Sequence, residues 1–269
     1  MEVKNAENAI TAATEKQQMT QKPKTAANIM GDILNAEATK QLLKNTLKEN
    51  AGAFSASILD LYNTDRTLQQ CDPRAVFGEC LKAATLKLPI NKQLGFAYVV
   101  SYKNIPQFQI GYKGLVQLAL RTGAYKYINA GAVYEGEFKG ADKLTGEIDL
   151  SGEKVSDEVV GYFAYIETTN GFKKAVYSTK KQVTDHAVRY SKSYKSSNSA
   201  WATNFDEMAT KTVLRNLLSH YGYMSVEMAN AFEAEDNADT AAEVMQRNDN
   251  EPIVIEAEPQ DIETEVDVV

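Results

Sequence analysis

The sequence predicts an α+β fold in which β-hairpins and a small antiparallel sheet pack with helices. Three observations carry that expectation. Apolar residues recur at helical spacing on both flanks of the middle portion, in residues 29–62 and again in 204–222. Between them lie two strand pairs, each built around a turn signal. One helix interrupts those hairpins, instead of helices alternating with strands one for one, which argues against a repeating βαβ architecture.

The change of period is plainest in residues 94–127, LGFAYVVSYKNIPQFQIGYKGLVQLALRTGAYKY. An apolar run from 96 to 100 turns through Lys103-Asn104-Ile105-Pro106 and resumes as Gln107-Phe108-Gln109-Ile110, the pattern of a β-hairpin. From Tyr112 the spacing becomes helical, with Leu115, Leu118 and Ala119 on one face and Gly123 as a stop. Lys113, Gln117 and Arg121 stand four residues apart. Steps of four advance about 40° around a helix, so the three form one polar stripe opposite the core face. Tyr112, Tyr125, Lys126 and Tyr127 flank the stripe. Cations interleaved with flat rings suit a polyanion that carries stackable bases. At the strand-to-helix junction Tyr112 suits core packing as well as stacking. Gly111 and Gly114 either admit a phosphate or make the turn.

Upstream, residues 1–28 are polar and read as a flexible arm. Helices follow through Ile33, Leu34, Leu42, Leu43 and Leu47, then Phe54, Ile58, Leu59 and Leu61. Asp72 as N-cap and Pro73 as first helical residue open another helix, with Val76, Phe77, Cys80, Leu81 and Ala84 on its buried side. Downstream, residues 128–134 read as a strand and 135–156 as an exposed hairpin or loop. Tyr162, Ala164 and Ile166 alternate within 159–169, and Asn170-Gly171 then signals a hairpin returning through 172–177. Residues 172–215 gather lysines and arginines. Within them 190–199, YSKSYKSSNS, carries Lys192 and Lys195 and reads either as a loop that orders on phosphate or as a solvated surface loop. Trp201 follows, as a core or subunit-contact anchor or a stacking platform. A helix then opens on Asn204 with Glu207 three residues on, a capping-box spacing. Phe205, Met208, Ala209, Val213 and Leu217 build its core side, while Lys211, Thr212 and Arg215 lie on another face.

The net charge of −7 hides an asymmetry. From residue 233 onward 13 Asp and Glu face Arg247 alone, leaving this segment at −12 and the first 232 residues at +5. A basic body beside an acidic tail suggests nucleic-acid binding with an acidic appendage. Pro252 to Ile255 and the spaced Ile262, Val266 and Val268 suit docking on a partner or lie in a plain solubilising tail. No apolar run approaches the roughly 18 residues of a membrane span, and the N-terminus lacks a signal-peptide pattern, so a cytoplasmic location is expected. Cys71 and Cys80 have no nearby His and read as buried free thiols rather than a metal site or a disulfide. No G-x-x-x-x-G-K-[ST] phosphate loop occurs.

Taken together, these segments resemble the RecT family of phage single-strand DNA annealing proteins. QFQIGYKGLVQLALRTGAYKY is similar to the family's central signature and NFDEMATKTVLRNLLSHYG to its second, with Asp72-Pro73 and LGFAYVVSY agreeing upstream. The likeness covers residues 29–232. It implies ATP-independent annealing of complementary strands in phage-type recombination, by a non-enzymatic protein in a bacterial host's cytoplasm. It further implies homo-oligomeric rings or helical filaments, contact with single-stranded DNA and annealed duplex, and a phage exonuclease and host single-strand binding protein as partners. No cofactor is required on this reading, with Mg2+ a modulator of DNA binding. Residues 29–232 would be the annealing core, and 233–269 a disordered tail for partner contacts. The DNA-binding candidates are Gln109, Tyr112, Lys113, Gln117, Arg121 and Lys126 from the first signature. Lys192, Lys195 and Trp201 come from the loop segment, and Lys211, Thr212 and Arg215 from the second signature. The two cation-bearing helices are expected to line one basic groove. Two other readings stand beside it: a metal-dependent nuclease using Asp206-Glu207 or Glu135/Glu137, and an oligomeric scaffold that leaves DNA untouched. Against the first, Glu207 already has a capping role and the Glu135 pair lies in a loop-like segment without a nearby general base; against the second, a scaffold does not require a basic body beside an acidic tail.

Overall fold

The computed structural model describes residues 25–191 and 193–235, so most of the expected arm and acidic tail, together with Lys192, lies outside the described residues. Four helices come first: α1 (Ala26–Asn35), α2 (Glu37–Leu47), α3 (Ala51–Thr64) and α4 (Pro73–Thr85). The expected Asp72 cap is present, its carboxylate accepting from the Arg74 N–H at 3.1 Å with Pro73 at the first position. Met30, Leu43, Ile58, Val76 and Cys80 are fully or almost fully buried between these helices. Each such aliphatic side chain is worth about 1.5–3 kcal/mol of hydrophobic stabilisation.

The hairpin pairs β1 (Ala97–Tyr102) with β2 (Ile105–Ile110) in the register Tyr102↔Ile105 to Ala97↔Ile110. Its turn is tighter than the sequence suggested. Only Lys103 and Asn104 form it, with φ of 50° and 64°, the paired positive values of a two-residue type I′ loop. Ile105 and Pro106 therefore belong to β2. Ala97, Val99, Phe108 and Ile110 point into the core, and Tyr98, Tyr102, Gln107 and Gln109 share the opposite face.

This register turns the backbone N–H positions of residues 106, 108 and 110 outward along the free edge of β2. Pro106 has none. Phe108 donates to Glu79 Oε2 at 2.7 Å and Ile110 to Glu235 Oε1 at 2.9 Å. The two carboxylates thus satisfy an edge that would otherwise be open to another strand.

The next helix, α5 (Tyr112–Arg121), starts hard against the residues before β1. The Gly111 N–H donates to Phe96 O at 2.8 Å. A Cβ on Gly111 would stand 2.1 Å from Gly95 O, and one on Gly114 2.2 Å from Phe96 O. Both glycines therefore serve the close approach of α5 to its own chain. Arg121, at the far end, donates to Leu86 O at 2.6 Å and Lys87 O at 2.9 Å. It satisfies carbonyls left without partners where α4 ends.

A three-stranded antiparallel sheet, in the order β3–β6–β7, supplies the second half of the core. Its strands are β3 (Tyr125–Tyr134), β6 (Val159–Thr168) and β7 (Lys173–Thr179), and the segment between β3 and β6 carries the small hairpin β4 (Gly140–Ala141) and β5 (Ile148–Asp149). Tyr162, Ala164 and Ile166 are fully buried, as their alternation predicts. Helices α6 (Lys180–Tyr190), α7 (Ala200–Thr203) and α8 (Phe205–Tyr221) follow, then a helix over residues 226–235, here α9. The expected capping box at Asn204 does not form: Asn204 makes no side-chain cap, and its amide instead donates to Glu207 Oε2 at 3.3 Å. A complete capping box occurs at Thr179 and Gln182, opening α6. Cys71 and Cys80 are free and buried, and burial above all pushes the Cys80 thiol up to about 12. Among the described residues no helix is long and apolar enough to cross a membrane.

Two substitutions test this packing by urea denaturation. Gly114→Ala, which by helix propensity alone would stabilise by roughly 1 kcal/mol, is expected to destabilise by about 1–3 kcal/mol through overpacking; a gain in midpoint would contradict the close approach. Arg121→Ala removes two charge-assisted bonds and is expected to cost about 1.5–3 kcal/mol, so an unchanged midpoint would mean the α4 carbonyls do not need it.

Candidate nucleic-acid interface

Helix α8 has two faces, and its position follows from the first. Ala209, Val213, Leu214, Leu217 and Leu218 are buried, anchoring the helix in the core shared with the sheet. Asp206 reinforces the join by accepting from the Tyr162 hydroxyl, and burial, then this contact, raises the tyrosine pKa. The second face carries Met208, Lys211, Thr212, Arg215 and Ser219, spaced three and four apart. It looks across a cleft of about 430 Å³ to Tyr102, Gln107 and Gln109 of the hairpin. His186 and Tyr190 of α6, with Trp201, close one side, and Glu235 of α9 reaches in from the end of the described chain. Clefts of roughly 300–1,000 Å³ enclose ligands of nucleotide size.

Inside this cleft the polar groups are already engaged. Gln109 donates from Nε2 to the Tyr102 hydroxyl at 3.1 Å. Lys211 Nζ lies 3.0 Å from Glu235 Oε1, and Arg215 Nε 3.2 Å from Glu235 Oε2. The Arg215 guanidinium also sits 5.0 Å over the Phe232 ring. These two cationic side chains are only 16 % and 31 % exposed, so they are partly withdrawn from water. Thr212 bonds its own helix, donating to Met208 O at 2.8 Å. Trp201 is almost buried and meets Tyr194 and Phe205 edge-on, centroids 6.0 and 5.5 Å away, so it anchors the wall it lines. Partial burial, and secondarily the Arg215 charge, lower the His186 pKa and keep that imidazole neutral near pH 7.

Five of the twelve candidate residues named above therefore meet in one place: Gln109, Trp201, Lys211, Thr212 and Arg215. The α5 stripe does not join them, since no α5 residue lines this cleft among those described. Lys113 is exposed, its stem lying beside Gly95. Gln117 is half-buried with Oε1 enclosed, and Arg121 is committed to the end of α4. Tyr112 packs partly buried against the core, and burial raises its pKa. Lys126 stands on the sheet, 2.9 Å from Glu167 Oε1, while Lys195 is exposed in the 191–199 loop.

The carboxylates weighed for metal binding each have local partners. Asp206 serves Tyr162 and Glu207 serves Asn204. Glu135 accepts from Ser156 at 2.8 Å and Glu137 from the Tyr134 N–H at 2.7 Å. Sequence reasoning missed His186, Tyr190 and Glu235. The first two ride on α6, whose Thr179-x-x-Gln182 capping signal was readable. Glu235 was hidden among the acids of the tail.

Comparison with known proteins agrees with this arrangement of signatures. The chain is 44 % identical over 231 residues, 86 % of its length and 80 % of the relative's, to the uncharacterised protein YqaK of Bacillus subtilis (strain 168). It is 31 % identical over 178 residues to protein RecT of Escherichia coli (strain K12), covering 61 % of this chain and 63 % of that one. A sequence model of the RecT family matches residues 52–254, which take in the hairpin, α5, the sheet and α8. The chain belongs to the RecT family.

Proposed function

We propose that this protein binds single-stranded DNA without regard to sequence, in the cleft between the hairpin and α8, and anneals complementary strands without ATP. RecT-family membership supports single-strand annealing in recombination as its setting. The observation that carries the location is the convergence of Lys211, Arg215 and Gln109 beside Trp201 in one partly desolvated cleft. Cations there hold phosphates, which position a strand but carry no sequence information. Base edges stay free to test a second strand, and pairing is itself downhill, so no hydrolysis step is called for. On this reading the protein is not an enzyme.

Oligomers, as rings or helical filaments, would run neighbouring clefts together so that affinity grows with strand length. The exposed cations Lys113, Lys126 and Lys195 extend the electropositive approach to the strand in this reading, joined by Lys192, which lies outside the described residues, and Mg2+ tunes the same electrostatics. Annealed duplex, an exonuclease and the host's single-strand binding protein complete the proposed partners, with the tail at 233–269 as the contact for them in the bacterial cytoplasm.

The test is fluorescence anisotropy of labelled oligonucleotides of several sequences, alongside an annealing assay without nucleotide. The double variant Lys211→Ala, Arg215→Ala is expected to lose about tenfold or more in affinity, equally for all sequences, since two charge-assisted contacts of about 1.5–3 kcal/mol each are removed and only part is realised net. Unchanged binding and annealing in that variant would move the strand out of this cleft.

A further inference from the structure

Glu235 makes contacts that nothing in the strand-binding reading assigns. One carboxylate accepts from three donors of different kinds: the Ile110 backbone N–H at 2.9 Å, the Lys211 ammonium at 3.0 Å and the Arg215 guanidinium at 3.2 Å. A main-chain amide, a lysine and an arginine converging on two oxygens of one negative group is the donor set that suits a phosphodiester. The two anions are alike in what matters here, each carrying one charge over two free oxygens. The group is also set among the residues that line the cleft.

How Glu235 comes to be there follows from α9. Met228, Ala231 and Phe232 are buried, and Ser225 Oγ accepts from the Met228 N–H at 3.1 Å at the start of the helix. Residues 228, 231, 232 and 235 fall on one helical face, so docking the apolar three delivers the carboxylate into the cleft. Withdrawing it needs only a turn of a flexible side chain, because the buried anchors stay in place. The sequence beyond, with Asp236, Asp239 and Glu243 close behind, keeps the same sign.

We infer that Glu235 occupies the seat of a DNA phosphate, so that the start of the acidic segment restrains strand binding and must be displaced when a strand enters. The inference rests on the strand-binding reading above and adds a built-in competitor to it. Exchange of one oxyanion for another leaves Lys211 and Arg215 paired in both states and never leaves a half-buried cation bare. It also predicts an unusual salt response. Counterions released from the strand are offset by the cations that the displaced carboxylate attracts, so the salt dependence is muted while Glu235 is present.

The test uses the full chain, with a labelled mixed-sequence oligonucleotide titrated across a salt series. Glu235→Gln keeps an oxygen for the Ile110 N–H and removes the charge. It is expected to bind about three- to tenfold tighter at low salt, the range of a partly buried ion pair. Its log-affinity against log-salt slope is expected to be steeper by about 0.7, one phosphate's worth. A second measurement does not depend on stability: Lys211→Ala should cost more affinity in the Glu235→Gln background than in the wild type, where Lys211 is already spent on Glu235. Equal or weaker binding by Glu235→Gln with the wild-type slope, or an equal cost of Lys211→Ala in both backgrounds, overturns the inference and leaves strand binding standing. Absence of strand binding by either protein sinks the underlying reading and this one with it.

Discussion

A cation lifted partly out of water needs a counter-charge, and this requirement organises the cleft. Lys211 and Arg215 stand one turn apart on a helix whose opposite face is fixed in the core, so neither can retreat to solvent without dismantling α8. Facing them is a two-stranded hairpin whose outer edge presents an N–H in need of an acceptor. A single carboxylate meets both needs. The geometry that makes the cleft hospitable to an anion is therefore the same geometry that keeps the hairpin edge closed.

That economy depends on the tight turn at Lys103-Asn104. Its two positive φ values set the hairpin register, and the register decides which N–H groups of β2 face out. A slip of one residue would send Phe108 and Ile110 out of the core, put Gln107 and Gln109 into it, and remove Gln109 from the cleft. Glu79 and Glu235 secure the register from outside, while the glycines at 111 and 114 let α5 press on the preceding backbone and hold the hairpin from the other end.

Much of this was legible in the sequence. The alternation of Tyr162, Ala164 and Ile166 and the Asp72-Pro73 start appear in three dimensions as the residue pattern dictates, and α8 has its expected core and cation faces, except that Met208, expected on the core side, lines the cleft. The Lys113–Gln117–Arg121 stripe shows the limit. Helical spacing establishes which residues share a face, but says nothing about what that face meets. Arg121 meets the carbonyls at the end of α4, a partner 34 and 35 positions earlier in the chain that no local pattern announces. Glu235 illustrates the same blindness in reverse. It lies among many acids, and only the docking of Met228 and Phe232 distinguishes it from them. The capping-box spacing was present at both Asn204 and Thr179, and formed only at the latter, where the backbone before the helix has the extended conformation a cap needs.

The chain's single tryptophan, Trp201, stands in the wall of the cleft and makes the central claim directly measurable. Its intrinsic emission, followed during titration with single-stranded DNA and compared with the anisotropy of the same labelled strand, reports whether bases enter beside it. If the strand lies between the hairpin and α8, the emission is quenched along the same saturation curve as the anisotropy. If the anisotropy saturates while the emission stays unchanged, the strand is bound elsewhere and the cleft is not its seat.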